Sequence, residues 1–355
     1  MTAASAAPSG RRRSLRRIAI VLIGLGLSAL AAWLAIRGVD LGRTAEILGQ
    51  VSLGPLAIVA VALVLQLLVR SGRWSRLLPA GQHGSVPARR LVPVVLVGYL
   101  GNAVVPARLG DPIRALLVGR RETIPAAGAL GSVVLERAID TLTLAVLVFP
   151  AAALSGAPDW LIRAAALAAV LAGTVLIVAQ TRLPGWLIER LRQRVHGPRW
   201  TPWLERADHF AAAMNSAGRR RAVLTAVGLS LVAWLLDGTI YWAAGRALGI
   251  ELLPAGAMLV SAITVLGTAI PSAPGYVGTF ELAASSIAAG LGVAPAAALA
   301  FAILVHALTL LPLALGGAVA LVWMGVHVGD LARVAVGEST SVPELPSAPA
   351  EATPQ

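Results

Sequence analysis

Apolar runs of membrane-spanning length alternate with short polar stretches along almost the whole chain, and arginine dominates the polar stretches. A run of about 18 or more apolar residues reads as a transmembrane helix. Full spans are predicted at 18–36, 51–69, 126–150, 160–180, 222–246 and 295–326. Four further apolar pieces are too short to cross comfortably: 91–107 with 108–121, and 255–270 with 280–292. Each pair meets at a segment interrupted by proline, glycine and charge. The first segment runs from Asn102 to Arg114 and the second from Ile270 to Glu281. Both contain Pro-x-x-x-Gly, as Pro106 with Gly110 and as Pro271 with Gly275.

Irregular backbone at membrane depth survives only where protein or a watery cavity satisfies its polar groups. A matched pair of such breaks points to a transporter's binding site. Charge parity sharpens the topology. The run Arg11–Arg17 places the N-terminus in the cytoplasm, and the arginine-rich stretches 70–90 and 182–221 belong on the same side. Residues 91–121 must then begin and end inside, and 255–292 must begin and end outside. The predicted fold is an all-α polytopic membrane protein with about six full spans and two re-entrant broken-helix hairpins in an inverted repeat. Depending on how the hairpins are counted, this gives seven or eight helices. The predicted organisation is a basic N-terminus (1–17), a membrane domain (18–328) with halves 18–181 and 222–328, and a disordered tail (329–355). Residues 182–221 form a cytoplasmic loop of amphipathic helices, in which Trp186, Trp200 and Trp203 interleave with arginines on an anionic membrane surface.

Composition narrows the function classes. Mean hydropathy is +0.79, which argues against a soluble chain. Net charge is +12 and every basic residue is arginine. These arginines flank apolar spans, so lipid headgroups explain them better than nucleic acid, and no nucleic-acid partner is expected. There is no cysteine, and the five histidines are scattered without metal-ligand spacing. No metal or cofactor is expected, and no P-loop, Rossmann or nucleophile-elbow motif is present.

The candidate chemistry lies inside the membrane region. Glu136 and Asp140 share a helix face at i,i+4, with Arg137 beside them. A mid-bilayer charge costs about 2.5–3.5 kcal/mol, so the three should face the protein interior. They are read either as a locking ion-pair network or as the lining of a substrate path. In the first break, Arg108, Asp111 and Arg114 surround Gly110, and Pro112 suits the first turn of a new half-helix. That half-helix and its arginines suit a phosphate; the alternative is an interfacial turn with snorkelling arginines. Asn102 either satisfies freed backbone or touches ligand. In the second break, Pro274, Gly275 and Gly278 enforce a turn, with Thr279 as the expected cap of the helix that follows. Glu281 is read as a first-turn cap, or as a partner for a substrate cation, Arg108 or Arg114. Asp237 and His306 are candidates for a proton or polar relay, although a lone histidine is more often a satisfied interior residue.

The pattern Asn102, Pro106-Ala-Arg108-Leu-Gly110-Asp111, Arg114, Glu136-Arg137, Asp140, then Pro271-Ser-Ala-Pro274-Gly275, Gly278 and Glu281 resembles the lysylphosphatidylglycerol synthase transmembrane region, also called the flippase-like family. The resemblance covers roughly residues 15–328. The family usually has Glu where Asp111 stands, and often an arginine upstream of the final helix's proline, where this chain offers His306. Full-length synthases carry a soluble aminoacyl-transfer domain after the membrane region. Only about 30 residues follow the last helix here, so a stand-alone form is expected.

The resemblance implies movement of a lipid, or a lipid-linked headgroup, between leaflets. Together with the arginine- and alanine-rich composition and the absence of catalytic motifs, the leading expectation is a bacterial inner-membrane translocase for an anionic or aminoacylated lipid or a lipid-linked headgroup, and no enzyme activity. Substrate contacts are expected from Asn102, Arg108, Asp111, Arg114, Glu136, Arg137, Asp140 and Glu281. Two alternatives are a non-transporting partner of a separate synthase or glycosyltransferase, and an intramembrane lipid-phosphate transferase.

Overall fold

The computed structural model describes residues 10–81, 84–105, 109–155, isolated positions between 163 and 174, then 183–195, 200–214, 220–268 and 272–326. Most of the predicted span at 160–180, the tail from 327, and Pro106, Arg108 and Pro271 lie outside the described residues. Twelve α-helices are described: α1 Gly10–Ile36, α2 Leu41–Gly49, α3 Leu53–Leu77, α4 Ala88–Val104, α5 Gly110–Arg121, α6 Ala126–Ser155, α7 Leu183–Arg194, α8 Thr201–Met214, α9 Arg220–Ala247, α10 Pro254–Gly267, α11 Thr279–Gly290 and α12 Pro295–Trp323. By length and composition α3, α9 and α12 suffice to cross a membrane, and α1 with α2 forms a fourth candidate bent by 85°. Their outward faces are apolar, with Val61, Val64 and Leu68 on α3 and Leu315, Val319 and Val322 on α12 exposed. Only a lipid environment makes such faces favourable on so many helices at once.

Two expectations about loops change. Arg70, Arg73 and Arg76, expected in a basic loop, belong to α3, which continues two turns past the predicted end of its span. Arginine is a good helix former, and Arg73 has a buried destination described below. The polar stretch after the first span is also helical. Asp40 caps α2 by accepting from the Arg43 backbone N–H at 2.9 Å. The basic run Arg11–Arg17 likewise lies within α1.

The packing of the two halves repeats. In the first half α3 packs on α4 and α6, while α5 packs on α4 and α6. In the second half α9 packs on α10 and α12, while α11 packs on α10 and α12. Across the halves, α4 lies on α12 as α10 lies on α6. At the centre α3 runs antiparallel to α9. Ser52 bonds to Ala247, Gln66 to Asp237, and Arg73 to Ser230, so one helix descends as the other rises. This is the arrangement of an inverted repeat.

Each hairpin is built from short helices. α5 has 12 residues and α10 has 14, about 18 and 21 Å at 1.5 Å per residue, against an apolar core of about 30 Å. In the first hairpin the Asn102 side chain accepts from the Gly110 backbone N–H at 2.9 Å, satisfying the first donor of α5. A Cβ on Gly110 would strike the Gly98 carbonyl and the Asn102 side chain, so α4 and α5 touch backbone to backbone. In the second, Gly275 and Gly278 take φ of 68° and 88°, and α1 closes over Gly278. Thr279 is the first residue of α11, and its hydroxyl donates to the Tyr276 carbonyl at 3.0 Å. The cap is therefore Gly278, whose N–H donates to Glu281 Oε2 at 2.6 Å, rather than the expected Thr279.

The loop 182–221 contains α7 and α8. α8 packs against α6, where Gly131 lies under the Phe210 carbonyl, while Trp186, Leu191 and Trp203 stay exposed.

The close approach of α4 and α5 is testable. Gly110→Ala should lower stability by about 1–3 kcal/mol through backbone displacement. Gly228→Ala, mid-helix on α9 with nothing within 4 Å of the added carbon, should be neutral or gain up to about 1 kcal/mol. Thermal unfolding of the detergent-solubilised protein reads both.

Candidate functional site

Asp111, Arg114, Glu136, Arg137 and Asp140 join Arg73 in one network across four helices. On α6, Glu136 and Asp140 face α3, and Arg137 faces α5. Arg73 is fully buried. One of its terminal nitrogens donates to Asp140, by a very short contact, and to Ser230 at 2.9 Å. The other donates to Glu136 Oε1 at 2.8 Å and Asp140 Oδ2 at 3.1 Å. Asp140 also accepts from Ser230 at 2.7 Å and from the Trp234 indole at 2.9 Å. A planar guanidinium suits this role, because its fork engages two carboxylates at once.

Arg114 and Arg137 join α5 to α6. Arg114 is buried over the Trp74 ring, 4.7 Å from its centroid, and donates to Glu136 Oε1 at 3.2 Å. Its Nε lies 3.1 Å from Asp111 Oδ1 but without hydrogen-bond alignment. Arg137, whose side chain is 46% exposed, holds Asp111 by two bonds of 3.0 and 2.9 Å. The network is incomplete. Glu136 Oε2 and the Nε atoms of Arg73 and Arg114 are buried with no hydrogen-bond partner. Partly satisfied buried networks are less stable than complete ones and leave open sites for further polar contact.

A second polar group joins the second hairpin to α12. Glu281 Oε1 sits 2.5 Å from His306 Nδ1, while Oε2 caps Gly278. Glu281 therefore takes the capping position, and its side-chain partner is His306 rather than Arg114. The imidazole stacks on Phe280 at 4.2 Å, and its Nε2 is buried without a partner. Asp237 forms a third group. It accepts from the Gln66 amide at 2.7 Å and from Ser261 at 2.5 Å.

These groups surround a cavity of about 210 Å³. Both hairpins reach it: Asn102, Asp111 and Arg114 from the first, Tyr276 and Phe280 from the second. Glu136, Arg137, Asp237 and His306 also line it, and Asp140 and Glu281 stand one contact behind. Arg108 lies outside the described residues. All three tyrosines of the chain, Tyr99, Tyr241 and Tyr276, border the cavity. Sequence reading missed Arg73, Gln66 and Arg70. The available signal was their helical spacing: 66, 70 and 73 fall on one face of a continued α3.

Removing one partner of a buried ion pair costs about 3–5 kcal/mol, because the other charge stays buried. Arg73→Met should therefore destabilise the protein by about that much, and Asp140→Asn in the same chain should recover part of the loss. A double-mutant unfolding cycle measures the coupling.

Two relatives carry similar sequences. The glycosyltransferase AglD of Haloferax volcanii is 29% identical over 369 residues, which take in 94% of this chain and 57% of AglD. This chain thus spans little more than half of AglD's length. A UPF0104 membrane protein of Methanothermobacter thermautotrophicus is 24% identical over 348 residues, covering 87% of this chain and 96% of that protein. Residues 21–317 match the family model described as the lysylphosphatidylglycerol synthase TM region. That match takes in both hairpins, the ion network and the cavity, and this multi-pass membrane chain belongs to the lysylphosphatidylglycerol synthase TM-region family.

Proposed function

We propose that the protein is a lipid translocase, moving an anionic or aminoacylated lipid, or a lipid-linked headgroup, between leaflets. The observation that carries this reading is the cavity's position: it is lined by two short, broken hairpins from opposite halves of the chain. A polar site at the meeting point of broken helices suits alternating access, in which one repeat rocks against the other. The headgroup would enter the cavity while acyl chains stay in lipid along the apolar outer faces. The Arg137–Asp111 contact, partly exposed, would exchange with substrate as the α4–α5 hairpin moves. Asp237 and the Glu281–His306 pair would carry protons or balance charge. In a bacterial cell the site of action would be the inner membrane, with the N-terminus cytoplasmic as the arginine distribution favours. In this reading the protein performs no covalent chemistry.

A second reading has one observation in its favour. Trp186, Trp200 and Trp203 remain exposed on α7 and α8 beside arginines, and AglD is named a glycosyltransferase. On this reading the protein is a membrane partner for a lipid- or glycan-synthesis enzyme, with α7–α8 as its docking face.

Proteoliposomes with labelled anionic, aminoacylated and polyprenyl lipids separate the two. The wild type should move at least one headgroup across the bilayer. Asp111→Asn and Asn102→Leu should each slow it about tenfold or more, the loss of one charged or polar contact at the site. Trp203→Ser should leave the rate unchanged. Folded wild-type protein that matches empty vesicles across the panel would sink the translocase reading in favour of the partner reading. A chemically altered lipid recovered from the vesicles would instead support a transferase.

A further inference from the structure

Direct ion pairs hold three of the four arginines at and behind the cavity. Arg73 answers Glu136 and Asp140, Arg114 answers Glu136, and Arg137 answers Asp111. Arg70 stands apart. It lies on α3, one turn after Gln66 and one turn before Arg73, and lines the cavity. Among the described residues no carboxylate is in direct ion-pair contact with it, although its charge acts on Asp140. Its guanidinium sits 5.1 Å from the centroid of the Trp234 ring, and its Nε is buried with no hydrogen-bond partner. The nearby acids are already engaged. Asp237 is held by Gln66 and Ser261, and Asp140 by Arg73, Ser230 and Trp234.

An arginine at membrane depth needs a counter-charge. The aromatic face beneath it fixes the plane of the guanidinium and leaves its edge free to donate. A planar fork of N–H donors matches the oxygens of a phosphate better than any other common biological anion except a carboxylate. Size sharpens the choice. The cavity, at about 210 Å³, is below the roughly 300 Å³ typical of pockets that enclose drug-sized ligands, which suits a small headgroup. His306 on α12 also lines the cavity, and its Nε2 is buried without a partner.

We propose that Arg70, seated on Trp234, is the anion-binding residue of the cavity, and that its ligand is a phosphate-type oxyanion. The inference rests on reading the cavity as the headgroup site. It adds an anion contact that, unlike Arg114 and Arg137, is not already held by Asp111 or Glu136. Arg70 then serves for binding, while Arg73 serves to hold the helices that form the cavity.

Equilibrium binding to the purified full chain in neutral detergent tests this without any transport. The probes are short-chain phosphatidic acid, short-chain phosphatidylglycerol, the matching uncharged diacylglycerol and inorganic phosphate. The wild type should bind both phosphate-bearing lipids and not the diacylglycerol, with affinity falling as salt rises. Arg70→Gln should weaken binding about tenfold or more, the loss of a charge-assisted contact. Arg70→Lys, which keeps the charge without the planar fork, should show an intermediate loss and covers the case in which Arg70→Gln fails to fold. Arg43→Gln, on the exposed face of α2, should bind like the wild type. Competition by inorganic phosphate would assign recognition to the oxyanion itself. Arg70-dependent binding without such competition would assign it to phosphate carried on lipid; both outcomes support the proposal. Equal affinity in wild type and Arg70→Gln, or diacylglycerol binding as tightly as phosphatidic acid, would overturn it. A protein that binds through Arg70 yet moves no lipid would defeat the translocase reading and leave this inference standing.

Discussion

One buried guanidinium organises the middle of this protein. Arg73 has no exposed surface, and its two terminal nitrogens engage Glu136, Asp140 and Ser230. These residues lie on α6 and α9, so a single side chain on α3 ties three helices from both halves. In a low-dielectric interior the desolvation cost of such charges is recovered only through close, well-directed pairing. That requirement restricts how far α3, α6 and α9 can slide or rotate against one another. The packing of the repeats and the place of the cavity both depend on that restriction.

Around this fixed centre the hairpins are held by further polar contacts. The first is tied to α6 by the buried Arg114–Glu136 pair and by Asp111, gripped by the partly exposed Arg137. The second is tied to α12 through Glu281 and His306. Glycines allow both hairpins to approach their neighbours backbone to backbone: Gly110 against α4, and Gly278 against α1.

The relatives fit this architecture at different scales. The similarity to AglD covers nearly all of this chain but little more than half of that protein. The similarity to the UPF0104 membrane protein runs the length of both. The membrane unit thus occurs in proteins of different length, while the charged residues of its core lie within the family-matched segment.

Local features of the sequence were enough for much of the fold. Run length and hydropathy located α3, α6, α9 and α12, and the proline–glycine breaks located both hairpins, because these quantities depend on neighbours in the chain. The cost of membrane burial also showed that Glu136, Arg137, Asp140 and Asp237 needed polar surroundings. Their partners were not legible. Arg73 meets Asp140 across 67 positions, and Gln66 meets Asp237 across 171. No local rule selects such pairs, so an arginine two turns beyond an apolar run read as loop. His306 looked solitary for the same reason until α11 brought Glu281 beside it. Sequence by itself determined which segments enter the membrane and where they break, since transfer energy and helix length are properties of a segment. Tertiary structure alone decided which charges pair and which arginines line the cavity, since electrostatic pairing depends on distance in space.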